Sequence, residues 1–193
     1  MNILYAKSVL FYSFVAIIVI RSPYLWQARQ TKVLASRKGV QEKLLLALAG
    51  VAFAISLNWI FSPVFSFADY SINTWVFAAG ILVLAIGLWL LQRSHSNLGR
   101  SWSMTLELRE NHALVTSGVY RHLRHPMYSA MLLISIGQAL ITPNWLVAPV
   151  GLVVFVLLFA LRFEKEEAMM LEQFGEQYAT YVRRTRRLVP GIW

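Results

Sequence analysis

The chain contains no cysteine. That absence removes disulfides, a thiolate nucleophile and thiolate metal ligands from consideration. Charge is scarce as well: 14% of the 193 residues are charged, with 9 Asp and Glu against 18 Lys and Arg. A soluble domain carries about 25% charged residues, so the chain cannot present water-facing surface throughout. Also missing are a G-x-S-x-G elbow, a G-x-G-x-x-G turn and a P-loop lysine, which leaves serine-hydrolase and soluble nucleotide-binding folds unsupported. The four histidines, His95, His112, His122 and His125, make a poor metal set. His122 and His125 stand three apart with Pro126 directly after them, and no H-E-x-x-H accompanies them, so no metal is assigned.

What is present is apolar: the hydrophobic fraction is 58% and the mean hydropathy +0.55, the composition of an integral membrane protein. Residues 3–20, 44–61 and 74–91 are runs close to the ~20 residues needed to cross ~30 Å of hydrocarbon. The first is read as a retained span, because Lys7 precedes a long apolar stretch and no small-residue cleavage site follows. A fourth run, 127–141, is short; at 1.5 Å per residue it reaches roughly 22 Å, so it has to start below the membrane surface or be embedded in protein. Thr142, Pro143 and Asn144 then turn the chain into a fifth run, 145–161. The expected fold is therefore all-α: an integral membrane bundle of five transmembrane helices, the fourth and fifth a tight hairpin, with a C-terminal amphipathic helix. No repeat or linker divides it, so residues 1–193 form a single membrane domain with three spans in 1–91.

Every Lys and Arg except Lys7 falls in residues 21–43, in 92–126 or after residue 161. With five spans these regions share one side, and the positive-inside rule places them in the cytoplasm, with the N-terminus outside and the C-terminus inside. The net charge of +9 is then a solvated cytoplasmic face and calls for no nucleic acid. In the tail, Phe163, Met170, Leu171, Phe174, Tyr178 and Tyr181 recur at helical spacing. Glu167 lies on the same stripe, and a carboxylate there needs a partner. Gly175 interrupts the pattern and Pro190 ends it.

The densest stretch is Gly118 to Tyr128. Pro126 marks a helix start, whose N-terminal end attracts anions, beside Tyr120, Arg121, His122, Arg124 and His125. Topology brings it to the same level as residues 107–115 and as Arg162, Glu166 and Glu167. Charges at the edge of the hydrocarbon are costly unless paired or wet, which makes the cluster a functional candidate. The plainer alternative is that Arg124 and Arg162 are interfacial anchors neutralised by Glu166 and Glu167.

The run Leu114 to Tyr120, then Arg124, His125, Pro126, Met127 and Tyr128, then Glu166 and Glu167, then Phe174 to Tyr178 with Tyr181 and Pro190, resembles the isoprenylcysteine carboxyl methyltransferase family. The likeness spans residues 97–190, and its R-H-P-x-Y element recurs in phospholipid methyltransferases. It implies S-adenosylmethionine as cofactor, S-adenosylhomocysteine as product, a membrane-bound lipophilic or prenylated acceptor, and a cofactor-binding and catalytic region in 92–193 facing the cytoplasm. Carried over residue by residue, cofactor binding falls on His112, Leu114, Val115, Tyr120, His125, Pro126, Tyr128 and Glu167, and Arg162 resembles the arginine near the acceptor. Arg124 suits the cofactor carboxylate, and Glu167, or else Glu107, its hydroxyls or ammonium. A carboxylate acceptor needs no base, whereas an amine needs Glu166 or Glu167 to take a proton. The residues leave open carboxyl O-methylation, phospholipid N-methylation and, more distantly, a membrane NADPH-dependent reductase of the sterol type.

Overall fold

The computed structural model describes residues 2–30, 33–36, 39–99, 102, 107–109 and 113–189, with 33–36 and 107–109 as backbone. Six helices account for most of them: α1 (Ile3–Gln30), α2 (Val40–Phe61), α3 (Thr74–Leu98), α4 (Pro126–Ile141), α5 (Ala148–Phe174) and α6 (Glu176–Arg184). By length and composition α1, α2 and α3 are able to cross a membrane, and α4 is the shorter apolar helix. Large apolar side chains such as Trp75, Leu82 and Val153 lie exposed along the bundle, as lipid-facing residues do. The fold is a helical membrane bundle, as its composition implies.

Three helices outrun their apolar limits at the same end. α1 continues past Ile20 to Gln30, α3 past Leu91 to Leu98, and α5 past Leu161 to Phe174. The basic segment 21–43 therefore begins as helix: α1 continues through Pro23 to Gln30. Proline removes one backbone donor, which leaves the carbonyl of Val19 without its amide, and the Ser22 hydroxyl donates to that carbonyl at 3.1 Å instead. The tail helix is likewise no separate element up to residue 174, but the second half of α5. Gly175 ends it with φ 51°, a conformation that strains any L side chain, and α6 follows with Tyr178 and Tyr181 buried.

Two short strands, β1 (Val33–Ser36) and β2 (Glu107–Arg109), pair antiparallel with Val33 opposite Arg109 and Ser36 opposite Glu107. They join the first and third connections, which the charge pattern assigns to one side.

The short α4 is embedded in protein rather than in lipid. It packs on α3 with backbones in near contact, because a Cβ on Gly137 would lie 2.7 Å from the Leu84 amide nitrogen, and one on Gly87 would lie 2.8 Å from that of Ile134. Small residues at such a seam let membrane helices approach closely. The buried core continues from there through Leu84, Leu91, Ala130, Ile134 and Ile141 to Leu10 and Trp59. At the far end the α4–α5 turn is pinned by Asn144, fully buried, which donates to Phe65 O at 2.7 Å and to Asp69 Oδ1 at 2.6 Å and accepts from the Val147 amide. Asp69 also receives the Trp59 indole at 2.7 Å, so the turn and the α2–α3 link hold each other.

Candidate active site

Pro126 occupies the first turn of α4, where its missing amide proton costs nothing, and His125 is the N-cap residue. The amides ahead of it are spent on the chain that follows α6: Arg124 N donates to Arg186 O at 2.7 Å and His125 N to Arg187 O at 3.1 Å. Ser129 Oγ donates to Leu188 O at 2.6 Å, and Tyr181 Oη to Tyr120 O at 2.6 Å. Those two amides are therefore not free to bind an anion at this helix entrance. The stitching also explains why the Gly118 to Tyr128 stretch holds a fixed shape without regular structure of its own beyond a 3-10 turn at Gly118–Arg121.

Glu167, the carboxylate on the apolar stripe, finds three partners. Arg124 Nε lies 3.0 Å and His125 Nε2 3.3 Å from its Oε1, and Arg187 Nη2 lies 3.5 Å from its Oε2. Arg124 in addition donates to Val182 O at 3.1 Å and Thr185 O at 2.6 Å, binding α5, α6 and the segment before α4 into one unit. Burial opposes ionisation of Glu167, but hydrogen bonds and charge from His125 and Arg124 outweigh it and hold the carboxyl down to about 2. Tyr120, Tyr178 and Tyr181 are pushed the other way, chiefly by burial, so all three stay neutral hydroxyls.

A second pair of contacts lies across the site. Tyr128 Oη donates to Glu166 Oε2 at 2.8 Å. Arg162 Nη2 lies 3.0 Å from Oε1 of Glu42 on α2, a carboxylate only 5% exposed.

These groups surround a cavity of about 420 Å³, within the ~300–1,000 Å³ usual for small-molecule sites. Leu114, Val115, Tyr120, Arg124 and His125 form its wall nearest α6, where Tyr178 and Tyr181 close it. Tyr128, Arg162 and Glu166 line it as well. Toward the bilayer the lining becomes apolar, with Leu46 and Ala49 from α2, Met131 from α4, and Phe155 and Leu158 from α5. The extended ends of α1, α3 and α5 supply Arg21, Leu98, Met169 and Met170.

Of the residues singled out in the sequence, Leu114, Val115, Tyr120, Arg124, His125, Tyr128, Arg162 and Glu166 thus line one cavity. Pro126 is buried at the α4 entrance and shapes the wall without lining it. Glu167 stands behind that wall, engaged by Arg124, His125 and Arg187. His112 lies outside the described residues, and Glu107 is described only as backbone of β2. Sequence reasoning missed Glu42, Arg21, Trp102 and Tyr178. Tyr178 carried a signal, since it shares the stripe of Glu167, whereas Glu42 looked like one acid among basic loop residues.

Fold and site together define a membrane bundle whose cavity combines paired charges with apolar walls. Comparison with known proteins narrows the class. The phospholipid methyltransferase family profile matches residues 75–177, more than half of the chain. The protein-S-isoprenylcysteine O-methyltransferase B of Arabidopsis thaliana is 30% identical over 160 residues, covering 82% of this chain and 81% of that protein. The enzyme of the same name from Rattus norvegicus is 34% identical over 125 residues, 62% of this chain and 43% of its own length. The solved structure of a eukaryotic intramembrane Ras methyltransferase, an isoprenylcysteine carboxyl methyltransferase, superposes with a TM-score of 0.58 at 25% identity, covering 96% of this chain and 63% of that one. The chain belongs to the phospholipid methyltransferase family and is an integral membrane methyltransferase.

Proposed function

We propose that the protein transfers a methyl group from S-adenosylmethionine to the carboxylate of a prenylcysteine-type acceptor, giving a methyl ester. The observation that carries this is the cavity itself: a guanidinium, Arg162, lines it directly after the apolar stretch of α5 ends at Leu161. Such a group suits the head of an acceptor whose lipid tail runs between α2 and α5, and the named activity of the relatives agrees with it.

The residues fit the cofactor. Arg124 and His125 offer donors for its carboxylate, Glu166 an acceptor for its ammonium or ribose hydroxyls, and Leu114, Val115 and Tyr120 an apolar edge for its adenine, with Glu107 and His112 assigned to the same site. When bound, the group supplies a methyl already activated on a sulfonium, so the acceptor needs only a nucleophilic oxygen. The protein's own contribution is therefore alignment and a dry surrounding. Glu167, held down to about 2, is a poor proton acceptor at neutral pH and is assigned a positioning role. Glu166 is the remaining candidate base, which the amine reading would require and the carboxylate reading does not. We place the cavity, the extended helix ends and the C-terminus on the cytoplasmic side, where the water-soluble cofactor enters.

Arg162→Gln tests the assignment. It should raise the KM for a prenylcysteine carboxylate at least tenfold while S-adenosylhomocysteine affinity, measured by calorimetry, stays within twofold. Unchanged KM would refute it, and tight NADPH binding by the wild-type protein would point to the reductase reading instead.

A further inference from the structure

Arg21 stands apart from the other cations that line the cavity. Arg124 is answered by Glu167 and Arg162 by Glu42, each at 3.0 Å. Among the described residues Arg21 has no carboxylate within ion-pair distance; its guanidinium lies over the face of Trp102, 5.5 Å from the ring centroid. That ring is fixed. It is 2% exposed, donates its indole N–H to Met127 Sδ at 3.2 Å, and packs on His95, which packs in turn on Tyr24 with centroids 5.0 and 4.9 Å apart. The stack ties α1 to α3 at the point where the apolar part of α1 ends, so Arg21 sits on a rigid support.

Its side chain lines the same cavity as Arg162, close enough for the two positive charges to repel each other. An aromatic face attracts a cation but leaves its charge in place. A guanidinium at the edge of hydrocarbon beside a like charge is unfavourable until an anion arrives. Glu42 neutralises Arg162, and Glu166, the carboxylate in the lining, takes the Tyr128 hydroxyl at 2.8 Å, so among the described residues Arg21 keeps a guanidinium without an ion-pair partner.

We propose that Arg21 is an acceptor-binding residue that, together with Arg162, holds the acceptor's carboxylate. The inference rests on the carboxyl-methylation reading above and deepens it. An acceptor carboxylate gives Arg21 the ion-pair partner it lacks, so the N-terminal helix contributes to the choice of an anionic acceptor. Methylation removes that charge, because the product is a neutral ester. Arg21 then regains its uncompensated state, and the ester is held less firmly than the acid it came from.

Arg21→Gln and Arg21→Lys in the full-length protein separate this role from that of an interfacial anchor. For a prenylcysteine carboxylate, Arg21→Gln should raise KM tenfold or more, with kcat and S-adenosylhomocysteine affinity within twofold of wild type, and Arg21→Lys should fall between. The neutral prenylcysteine amide, used as a competitive inhibitor, should bind wild type and Arg21→Gln alike. An unchanged KM in Arg21→Gln would overturn the inference alone. So would loss of S-adenosylhomocysteine affinity in parallel with KM, since that assigns Arg21 to the scaffold. A wild-type protein that leaves the carboxylate unmethylated would overturn the reading of function beneath it, and the inference with it.

Discussion

Replacing Glu167 by glutamine keeps the shape of the side chain and removes the charge that Arg124, His125 and Arg187 share. Those contacts, at 3.0, 3.3 and 3.5 Å, hold the carboxyl down to about 2 against an ordinary 4.5. The ionised form is thereby favoured by about 3 kcal/mol at neutral pH. A neutral amide still accepts a hydrogen bond from Arg124 but removes the negative charge that the Arg124 guanidinium faces, so a loss of about 2–3 kcal/mol is expected. Because Arg124 also ties Val182 and Thr185 to the segment before α4, the loss should appear as a looser cofactor wall. The assay is calorimetric titration with S-adenosylhomocysteine alongside thermal unfolding in detergent. Glu167→Gln should weaken binding tenfold or more, equivalent to at least about 1.4 kcal/mol, and lower the unfolding temperature. The sign with pH follows from the lowered pKa. The wild-type contribution is complete above about 4.5, falls as the pH drops from there towards about 2, and is gone below; the variant lacks that acid response. Affinity within twofold of wild type, or the same acid response in both proteins, would refute the reasoning.

Two further outcomes test other parts of the structure. Gly137→Ala places a methyl 2.7 Å from the Leu84 backbone and should destabilise the α3–α4 seam by about 1–3 kcal/mol, read as a lower unfolding temperature with an unchanged cofactor stoichiometry. Glu166→Gln should lower kcat for a carboxylate acceptor less than tenfold and leave its pH profile flat between pH 6 and 9 in order-of-magnitude terms, because no proton is transferred; a fall of roughly 10²-fold or more would make Glu166 a general base.

Local pattern carried the helical architecture: the apolar runs, the turn at Thr142 to Asn144 and the start at Pro126 all appear where spacing and proline chemistry put them. Helix ends did not follow hydropathy, because backbone hydrogen bonding continues wherever protein contacts support it, as Ser22 does for the turn at Pro23. The β1–β2 pairing was invisible, since strands of four and three residues are too short for an alternation signal and their partners lie far apart in the chain. Most of the candidate site was legible because its residues cluster in a few short segments around residues 114–128 and 162–167. Glu42 and Arg21 were not, for the opposite reason: Arg21 directly follows the apolar run inside α1, Glu42 lies in the first turn of α2 beside Lys43, and only packing shows that the cavity or Arg162 lies next to them.

The central claim is that a carboxylate is the methyl acceptor. Purified protein given methyl-labelled S-adenosylmethionine, with a prenylcysteine carboxylate and with phosphatidylethanolamine in parallel, tests it most directly when the product is then treated with base. The expected result is label on the prenylcysteine that base releases as methanol, because methyl esters hydrolyse. Base-stable label on phosphatidylethanolamine, with none on the prenylcysteine, would contradict the claim.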